Sequence, residues 1–485
     1  MIMLKHHLLA QLVVPLFLLM AFFAQARTTQ SPNVNSSPAT TSSSTAPYSP
    51  LPTVLCDSLT GQTMGVIQRL TQYTELVKGR QCIVLAADPT GETEDLSETI
   101  KRAPEGTVIL LSSETVPTAS STSTSSLPSV GKIPVEYFID KGIVLKNGQD
   151  IIGAADDGFE IVIRVDAGFR DLSMVMIDDM HDFDKTRDSH INHVTFQPVG
   201  PDNNVGAYSI IYAGCYNRKL IVENNLFHVS VRRAGLYFSC ADPLDASVKS
   251  SLLFANNTMI GTSTLFGVKD IFPKGLDIDY SGTQLQKIAV IENIFQGRMA
   301  RAGEFYLPAG SSMDIFRNIV DINNNMPDKK PLPTRLARFR DGFFLRGNYD
   351  TKVNLLPPLF NLAGNRIRSK NSAIGIEGHI KLALACNHLQ AVNPWRQDPP
   401  SWWWRPQQYG LKAVDPQPLA GECEGTKDSA GAMVTPTSAK VCQVFNTWTS
   451  INGSMTNPLS GLDSLDGQLF SLDGQLFLIY ESAPQ

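Results

Sequence analysis

Gly275-Leu-Asp-Ile-Asp-Tyr280, followed seven residues later by Lys287-Ile-Ala-Val-Ile-Glu-Asn-Ile-Phe295, decides the fold. In the first run apolar and acidic residues alternate with a period of two. That period places Leu276 and Ile278 on one face of a strand and Asp277 and Asp279 on the other. The second run also alternates and is broken by Asn293. Together they predict two or three short strands separated by turns, and similar pairs recur on both sides.

The recurrence has a signature, apolar-x-apolar-x-x-Asn-x-apolar, loosely kept at Val222–Phe227, Leu253–Met259, Val290–Phe295, Ile315–Val320, Leu362–Ile367 and Leu384–Leu389. Its asparagines, Asn225, Asn257, Asn293, Asn318, Asn365 and Asn387, are separated by 32, 36, 25, 47 and 22 residues. Unequal spacing around a constant motif predicts stacked repeats with loops of variable length protruding from one side. Asparagine suits such a turn because it tolerates the left-handed conformation, and a column of asparagines can bond side chain to neighbouring backbone. A second short strand precedes each motif, giving Ile211–Cys215, Leu236–Cys240, Leu276–Tyr280, Phe305–Leu307, Phe343–Arg346 and Ile374–Glu377.

Towards the N-terminus, Met64–Val77 has helical spacing in Val66, Ile67, Leu70, Tyr73 and Val77, and a strand follows around Cys82–Ala86. Asp95 to Leu111 then reads as a short helix ending at Ala103-Pro104, a glycine turn and a β-branched strand. After a Ser/Thr-rich insertion, Thr118–Ser126, the text resumes at Tyr137 and runs through Leu145-Lys-Asn-Gly-Gln-Asp-Ile-Ile-Gly153. This helix, turn, strand and "LKNGQDIIG" sequence resembles the start of right-handed parallel β-helix proteins of the pectate lyase-like superfamily. The resemblance covers about Leu96 to Gln390. It implies an all-β, right-handed single-stranded parallel β-helix, with the helix capping the open end of the coil and an irregular C-terminal cap.

The chain divides accordingly into a signal peptide (1–26), a Ser/Thr/Pro-rich linker (27–53), an N-terminal cap and lead-in (54–133), the parallel β-helix (134–391) and a C-terminal cap (392–485). Lys5, the apolar run Leu12–Phe23 and Ala24-Gln-Ala26 have the three-part form of a secretory leader. A secreted, periplasmic or cell-surface protein is expected, with no membrane span in the mature chain. The tail carries two identical heptads, Ser464–Phe470 and Ser471–Phe477, and reads as the far cap over an otherwise open strand edge.

Composition fits many turns and few long helices: 42% hydrophobic, 18% charged, 35 Gly and 30 Pro. The formal charge of −5 offers no basic face for phosphates, so nucleic acid is not an expected partner. Export makes the seven cysteines disulfide candidates. Cys56 with Cys82 and Cys423 with Cys442 are local pairs, Cys215 and Cys240 can meet as a disulfide or as stacked thiols, and Cys386 is the candidate free thiol.

Chemistry is expected on the outward positions of the strand preceding each motif. They form two columns, Tyr212, Tyr237, Asp277, Tyr306, Phe344, Gly375 and Gly214, Ser239, Asp279, Pro308, Arg346, Glu377, with Lys274 and Glu304 just outside the strands. Aromatic faces stack on sugar rings, and paired carboxylates serve as acid and base at a glycosidic bond or bind a hard cation such as calcium. The expected roles are Asp277 and Asp279 as catalytic carboxylates and Arg346 as substrate clamp. Tyr212, Tyr237, Tyr306, Phe344, Glu304, Glu377 and Lys274 are expected to bind substrate. Polygalacturonase-like hydrolases of the superfamily carry Asn-Thr-Asp, Asp-Asp and Gly-His-Gly signatures. Here only Gly378-His379 and the spaced pair Asp277-Ile-Asp279 approach them, and no lyase signature is intact. Three other features are weaker. Ile177–His193 holds five Asp and three His without the spacing of a calcium loop or a zinc helix. Arg232-Arg233 reads as a surface ion pair that could also meet a uronate, and Trp402–Trp404 as cap packing. The function expected is binding, and cleavage by a glycosidase or lyase, of an extracellular polysaccharide. The alternative is a non-catalytic surface or adhesion protein with the β-helix as a rigid spacer.

Overall fold

The computed structural model describes residues 51–87, 95–115, 132–166, 168–177, 188–199, 207–214, 219–239, 251–262, 272–279, 287–308, 310–323, 341–347, 358–369, 372–377, 381–385, 387–391, 468–472 and 475–481. The leader, the linker up to residue 50, the insertion Thr118–Ser126, most of the Asp/His-rich segment, Trp402–Trp404 and the cysteines 215, 240, 386, 423 and 442 lie outside them.

The described strands form three long sheets of thirteen, nine and eight strands. Each full coil contributes one strand to each sheet, and successive coils pair in parallel. Lys219–Glu223, Leu226–Val229 and Ala234–Ser239 make one coil. Ser251–Ala255, Thr258–Thr262 and Lys274–Asp279 make the next, stacked on it residue for residue. The protein is therefore an all-β parallel β-helix. The repeated motif is not one strand but a corner: its asparagine separates a strand of the thirteen-stranded sheet from one of the nine-stranded sheet.

Alternation fills the coil. Leu220, Leu252, Ile288, Met313 and Phe360 stack in one inward column, all at most 1% exposed. Phe196, Phe227 and Phe254 meet ring to ring at 5.1 and 5.8 Å. Each such side chain contributes roughly 1.5–3 kcal/mol by leaving water, which sets the strand register.

The corner asparagines form a continuous ladder. In Asn225, Asn257, Asn293, Asn318 and Asn365 the backbone N–H and Nδ2 both donate to Oδ1 of the asparagine on the next coil, at 2.8–3.1 Å. Each Nδ2 also donates to a backbone carbonyl of the preceding coil, as Asn257 does to Val222 and Asn293 to Phe254. The expected side-chain ladder is present, but the left-handed residue is not the ladder asparagine. It is the residue before it: Asn224, Asn256, Glu292, Arg317 and Gly364 have φ between 53° and 64°, as does His193 before Val194 at the corresponding corner. The ladder residue needs both amide functions aligned along the stack, and the preceding exposed residue absorbs the sharp bend.

A helix closes the N-terminal end, and at the other end a hairpin covers one sheet edge. Leu96–Arg102 is capped by Asp95, whose Oδ2 accepts from the Ser97 N–H, and it buries Leu96 and Ile100 against the coil interior. Its C-terminal carbonyls are met by Gln149, whose Nε2 donates to Ala103 and Ile100. The helix expected over Met64–Val77 breaks at Tyr73 into Met64–Gln72 and Thr74–Val77. These helices bury Val66 and Val77 against Cys82, Val108, Leu110, Ile152 and Ala154, the outer side of the thirteen-stranded sheet. The Cys56–Cys82 disulfide ties the antiparallel edge strand Val54–Leu55 to this layer. At the other end the duplicated heptads place Gln468–Leu472 and Gln475–Glu481 as an antiparallel pair, and the latter covers the edge strand Lys381–Ala385. No helix among the described residues is long and apolar enough to cross a membrane.

Candidate functional site

The outward face of the eight-stranded sheet carries the predicted columns. Its strands Ser209–Ala213, Ala234–Ser239, Lys274–Asp279, Gly303–Tyr306, Asp341–Arg346 and Ser372–Glu377 are successive parallel neighbours. Leu236, Leu276, Ile278, Phe305 and Leu345 point inward and are fully buried. The register stacks Tyr212, Tyr237, Asp277, Glu304, Phe344 and Gly375 in one outward column and Ser239, Asp279, Tyr306, Arg346 and Glu377 in the other.

This corrects the expected columns at one coil. Glu304, not Tyr306, lies beside Asp277, Tyr306 lies beside Asp279, and Lys274 is the first residue of its strand. The cause is Gly303, which occupies the inward position opposite Leu276. The Phe305 ring folds over it, so that a Cβ there would lie 2.1 Å from a ring carbon. An inward glycine carries no hydrophobic signal, and a reading by pattern begins the strand two residues late.

The charged side chains on this face form a chain of alternating sign. Asp341 Oδ2 meets Arg301 Nη2 at 3.3 Å, and Arg301 Nη1 meets Glu304 Oε2 at 2.6 Å. Glu304 Oε2 meets Lys274 Nζ at 2.7 Å, and Lys274 meets Asp277 Oδ2 at 3.1 Å. Asp277 Oδ2 accepts from Arg233 Nε at 2.6 Å, and Arg233 Nη2 reaches to 3.8 Å from Asp279 Oδ2. Arg346 stands 3.9 Å from Glu304 Oε1. Guanidinium planes cover the aromatics: Arg233 lies 3.7 Å from the Tyr237 ring centre, Arg301 3.8 Å from Phe344 and Arg346 5.1 Å from Tyr306.

Burial divides the cluster. Arg301, Asp341 and Asp277 are at most 2% exposed, whereas the Asp279 side chain is 44% exposed. Asp277 and Asp279 share a face as expected, but only Asp279 opens to solvent. Burial first, and then the Asp277 charge, push the Asp279 carboxyl above its ordinary range, and Arg233 and Arg346 offset part of that rise. Glu304 goes the other way: burial opposes its charge, but Arg301 and Lys274 hold its pKa down at about 2. Burial likewise opposes the Arg233 charge, and the adjoining Asp277 carboxylate raises its pKa in spite of it.

The structure thus brings Tyr237, Lys274, Asp277, Asp279, Glu304, Tyr306, Phe344 and Arg346 into one cluster. Tyr212 joins it through its ring, tilted against Tyr237 at 5.5 Å between centres. Phe344 is 3% exposed and packs over Arg301, so it presents no open face to a sugar. Glu377 pairs with Arg346 along the backbone, and its side chain lies outside the described residues. Sequence reasoning read Arg233 as a surface pair and missed Arg301 and Asp341. A signal existed: Lys274 stands three residues before Asp277 and Arg301 three before Glu304, and those two acids are register partners. A base three positions ahead of an acid on adjacent coils marks a buried pair of pairs. Among the described residues no group of three His, Cys, Asp or Glu side chains converges to hold a metal ion.

What the structure carries of the superfamily resemblance is architecture, parallel strands in three long stacked sheets. Compared with known proteins, the chain matches no described protein family, no curated protein and no solved structure.

Proposed function

We propose that the outward face of the eight-stranded sheet binds an extracellular polysaccharide bearing carboxylates, and that Asp279 transfers the proton when the chain is cleaved. The observation that carries this reading is the setting of Asp279. It is a half-exposed carboxylate with raised proton affinity, and two guanidinium groups, each laid against a tyrosine, flank it. An arginine packed over an aromatic ring can still donate to a carboxylate, and the tyrosine edges add apolar surface for a sugar. A carboxyl of raised proton affinity is better able to donate to a leaving oxygen, while the neighbouring Glu304, held ionised, stabilises developing positive charge. After burial, the Asp277 charge is what raises the proton affinity of Asp279. The parallel coils present these groups across roughly 4.8 Å steps, a geometry suited to an extended chain.

A second reading rests on the same geometry. Asp277 and Glu304 are both consumed by internal ion pairs, so the face can bind a polysaccharide without cleaving it. Incubation of the exported protein with acidic and neutral polysaccharides, with and without calcium, separates the two by reducing-sugar and unsaturated-product release. Cleavage of an acidic polymer that falls at least a hundredfold in Asp279→Asn supports the catalytic role. Binding without product leaves the second reading, and neither binding nor cleavage of any acidic polymer sinks both.

A further inference from the structure

The alternating chain Asp341, Arg301, Glu304, Lys274, Asp277, Arg233 and Asp279 crosses four successive coils, from a fully buried end to an open one. Arg301 is the largest fully buried side chain among the described residues and is 1% exposed. A buried ion pair is seldom more stabilising than apolar residues of the same volume, because two charges must shed their water. The coils on either side place Ala234 and Ser372 in the column of Lys274, Arg301 and Asp341, so this position does not require a charge. The charges therefore have an explanation other than stability, and the place where the chain ends supplies one.

Lys274, Arg301 and Asp341 occupy matching positions on three adjacent coils, each three residues before an outward member of the Asp277, Glu304 and Phe344 column. Lys274 bridges Asp277 and Glu304, and Arg301 bridges Glu304 and Asp341. Glu304 and Asp277 in turn lie beside the two arginines that flank Asp279. We propose that Lys274 and Arg301 are positioning residues which, by pairing with Glu304 and Asp277, keep Arg233 and Arg346 directed at Asp279. The proposal rests on the reading that Asp279 is the proton-transferring group.

The sign of the effect follows from the charges. Four acids, Asp277, Asp279, Glu304 and Asp341, face four bases, Arg233, Lys274, Arg301 and Arg346. Removing Lys274 or Arg301 leaves four carboxylates facing three bases and draws Arg233 or Arg346 inward towards the excess negative charge. Both changes disfavour the Asp279 anion, so its titration midpoint moves up. Replacing Asp277 by asparagine removes the nearest negative charge and moves the midpoint down.

The test is to titrate the Asp279 carboxyl by carbon NMR in full-length, aspartate-labelled protein, with Asp279→Asn to assign the signal. The pH profile of cleavage is recorded on the same samples. Lys274→Met is expected to raise the midpoint by roughly one pH unit, the order that loss of one nearby partly buried cation produces. Lys274→Arg should restore it, and Asp277→Asn should lower it. Arg301→Met should act like Lys274→Met. If that variant does not fold, Lys274→Met with its arginine rescue carries the test, since Lys274 is the more exposed of the two. A midpoint unmoved in folded Lys274→Met, or moved equally by Lys274→Arg, overturns the proposal. Midpoints that move as expected in a protein that cleaves no polysaccharide uphold the positioning and reject the cleavage reading alone.

Discussion

Two columns of polar side chains run along this coil and solve the problem of buried polarity in opposite ways. In the asparagine ladder every member is the same residue, each amide donates to the next, and nothing is charged. On the eight-stranded sheet successive members of the ionic chain carry opposite charge, and each is paired with neighbours of the other sign. The ladder is closed on both sides by coil interior and corner, with Asn257, Asn293, Asn318 and Asn365 at most 1% exposed. The ionic chain opens to solvent at Asp279. Identical neutral groups make a scaffold that tolerates any number of repeats; unlike charged groups make one particular place on it.

If the ladder is scaffold, breaking it in the middle costs far more stability than any change at the open end of the ionic chain. Asn293→Leu removes the Oδ1 that receives both the backbone N–H and the Nδ2 of Asn257. It also removes the donor to the Phe254 carbonyl. Two or three buried groups lose partners at about 1–3 kcal/mol each, so a loss of about 4 kcal/mol is expected from the urea midpoint. The same measurement on Asp279→Asn should show a change within about 0.5 kcal/mol, because that side chain is half exposed and its nearest cation is at 3.8 Å. Comparable losses at both positions would show that the open end of the ionic chain is also scaffold.

The two columns also differ in how far they can be read from the letters alone. The ladder is legible because one residue type recurs in one context, and the inward isoleucine, leucine and phenylalanine columns fix the strands around it. Its mechanics are less so: the bend at residue 292 or 317 is made by Glu or Arg, side chains with no preference for a left-handed backbone, which the stack holds there. The ionic chain is hardly legible at all. Asp277 and Asp279 stand out by alternation, but Arg301 precedes its strand and Asp341 opens one. Their contact depends on a register that Gly303 conceals.

The ladder ends where the N-terminal helices begin, and that junction is sensitive to pH. Val194 takes the ladder position and offers only its backbone N–H to Asn225 Oδ1, at 3.0 Å. The left-handed residue before it, His193, lies 2.8 Å through Nε2 from the Tyr73 hydroxyl. Burial first, then the charges of Arg69 and Lys132, lower the His193 pKa from 6.5 to about 4. The folded protein therefore refuses a proton that the unfolded chain accepts. This contribution is complete above about pH 6.5 and is lost as pH falls to about 4. Discounted by half for partial exposure, it amounts to about 1.5 kcal/mol. Glu223, whose carboxyl burial pushes up, acts in the opposite direction nearby, so the comparison must be between variants. His193→Asn, which keeps a side chain tolerant of the left-handed turn, is expected to flatten stability between pH 6.5 and 4. An equal slope in wild type and variant would remove His193 from the junction. The loss that follows from protonating Glu304 lies lower, from its ordinary value near 4.5 down to about 2.

The smallest expected effect tests whether the bend beside the ladder carries strain. Arg317 holds φ at 53°, and its Nε pairs with Glu292 Oε1 at 2.6 Å, but both side chains are largely exposed, at 51% and 42%. The matching position on the next coil is already glycine, Gly364. Arg317→Gly relieves about 1 kcal/mol of left-handed strain, and the greater freedom of glycine in the unfolded chain returns about 0.5–1 kcal/mol. The lost surface pair costs about 0.3 kcal/mol. The terms nearly cancel, and the urea midpoint should move by less than about 0.5 kcal/mol in either direction. A loss above about 1 kcal/mol would mean that the arginine stem, not the turn, braces the corner. The contrast between a neutral scaffold and a charged site would then need a third member, a charged residue holding up the scaffold from outside.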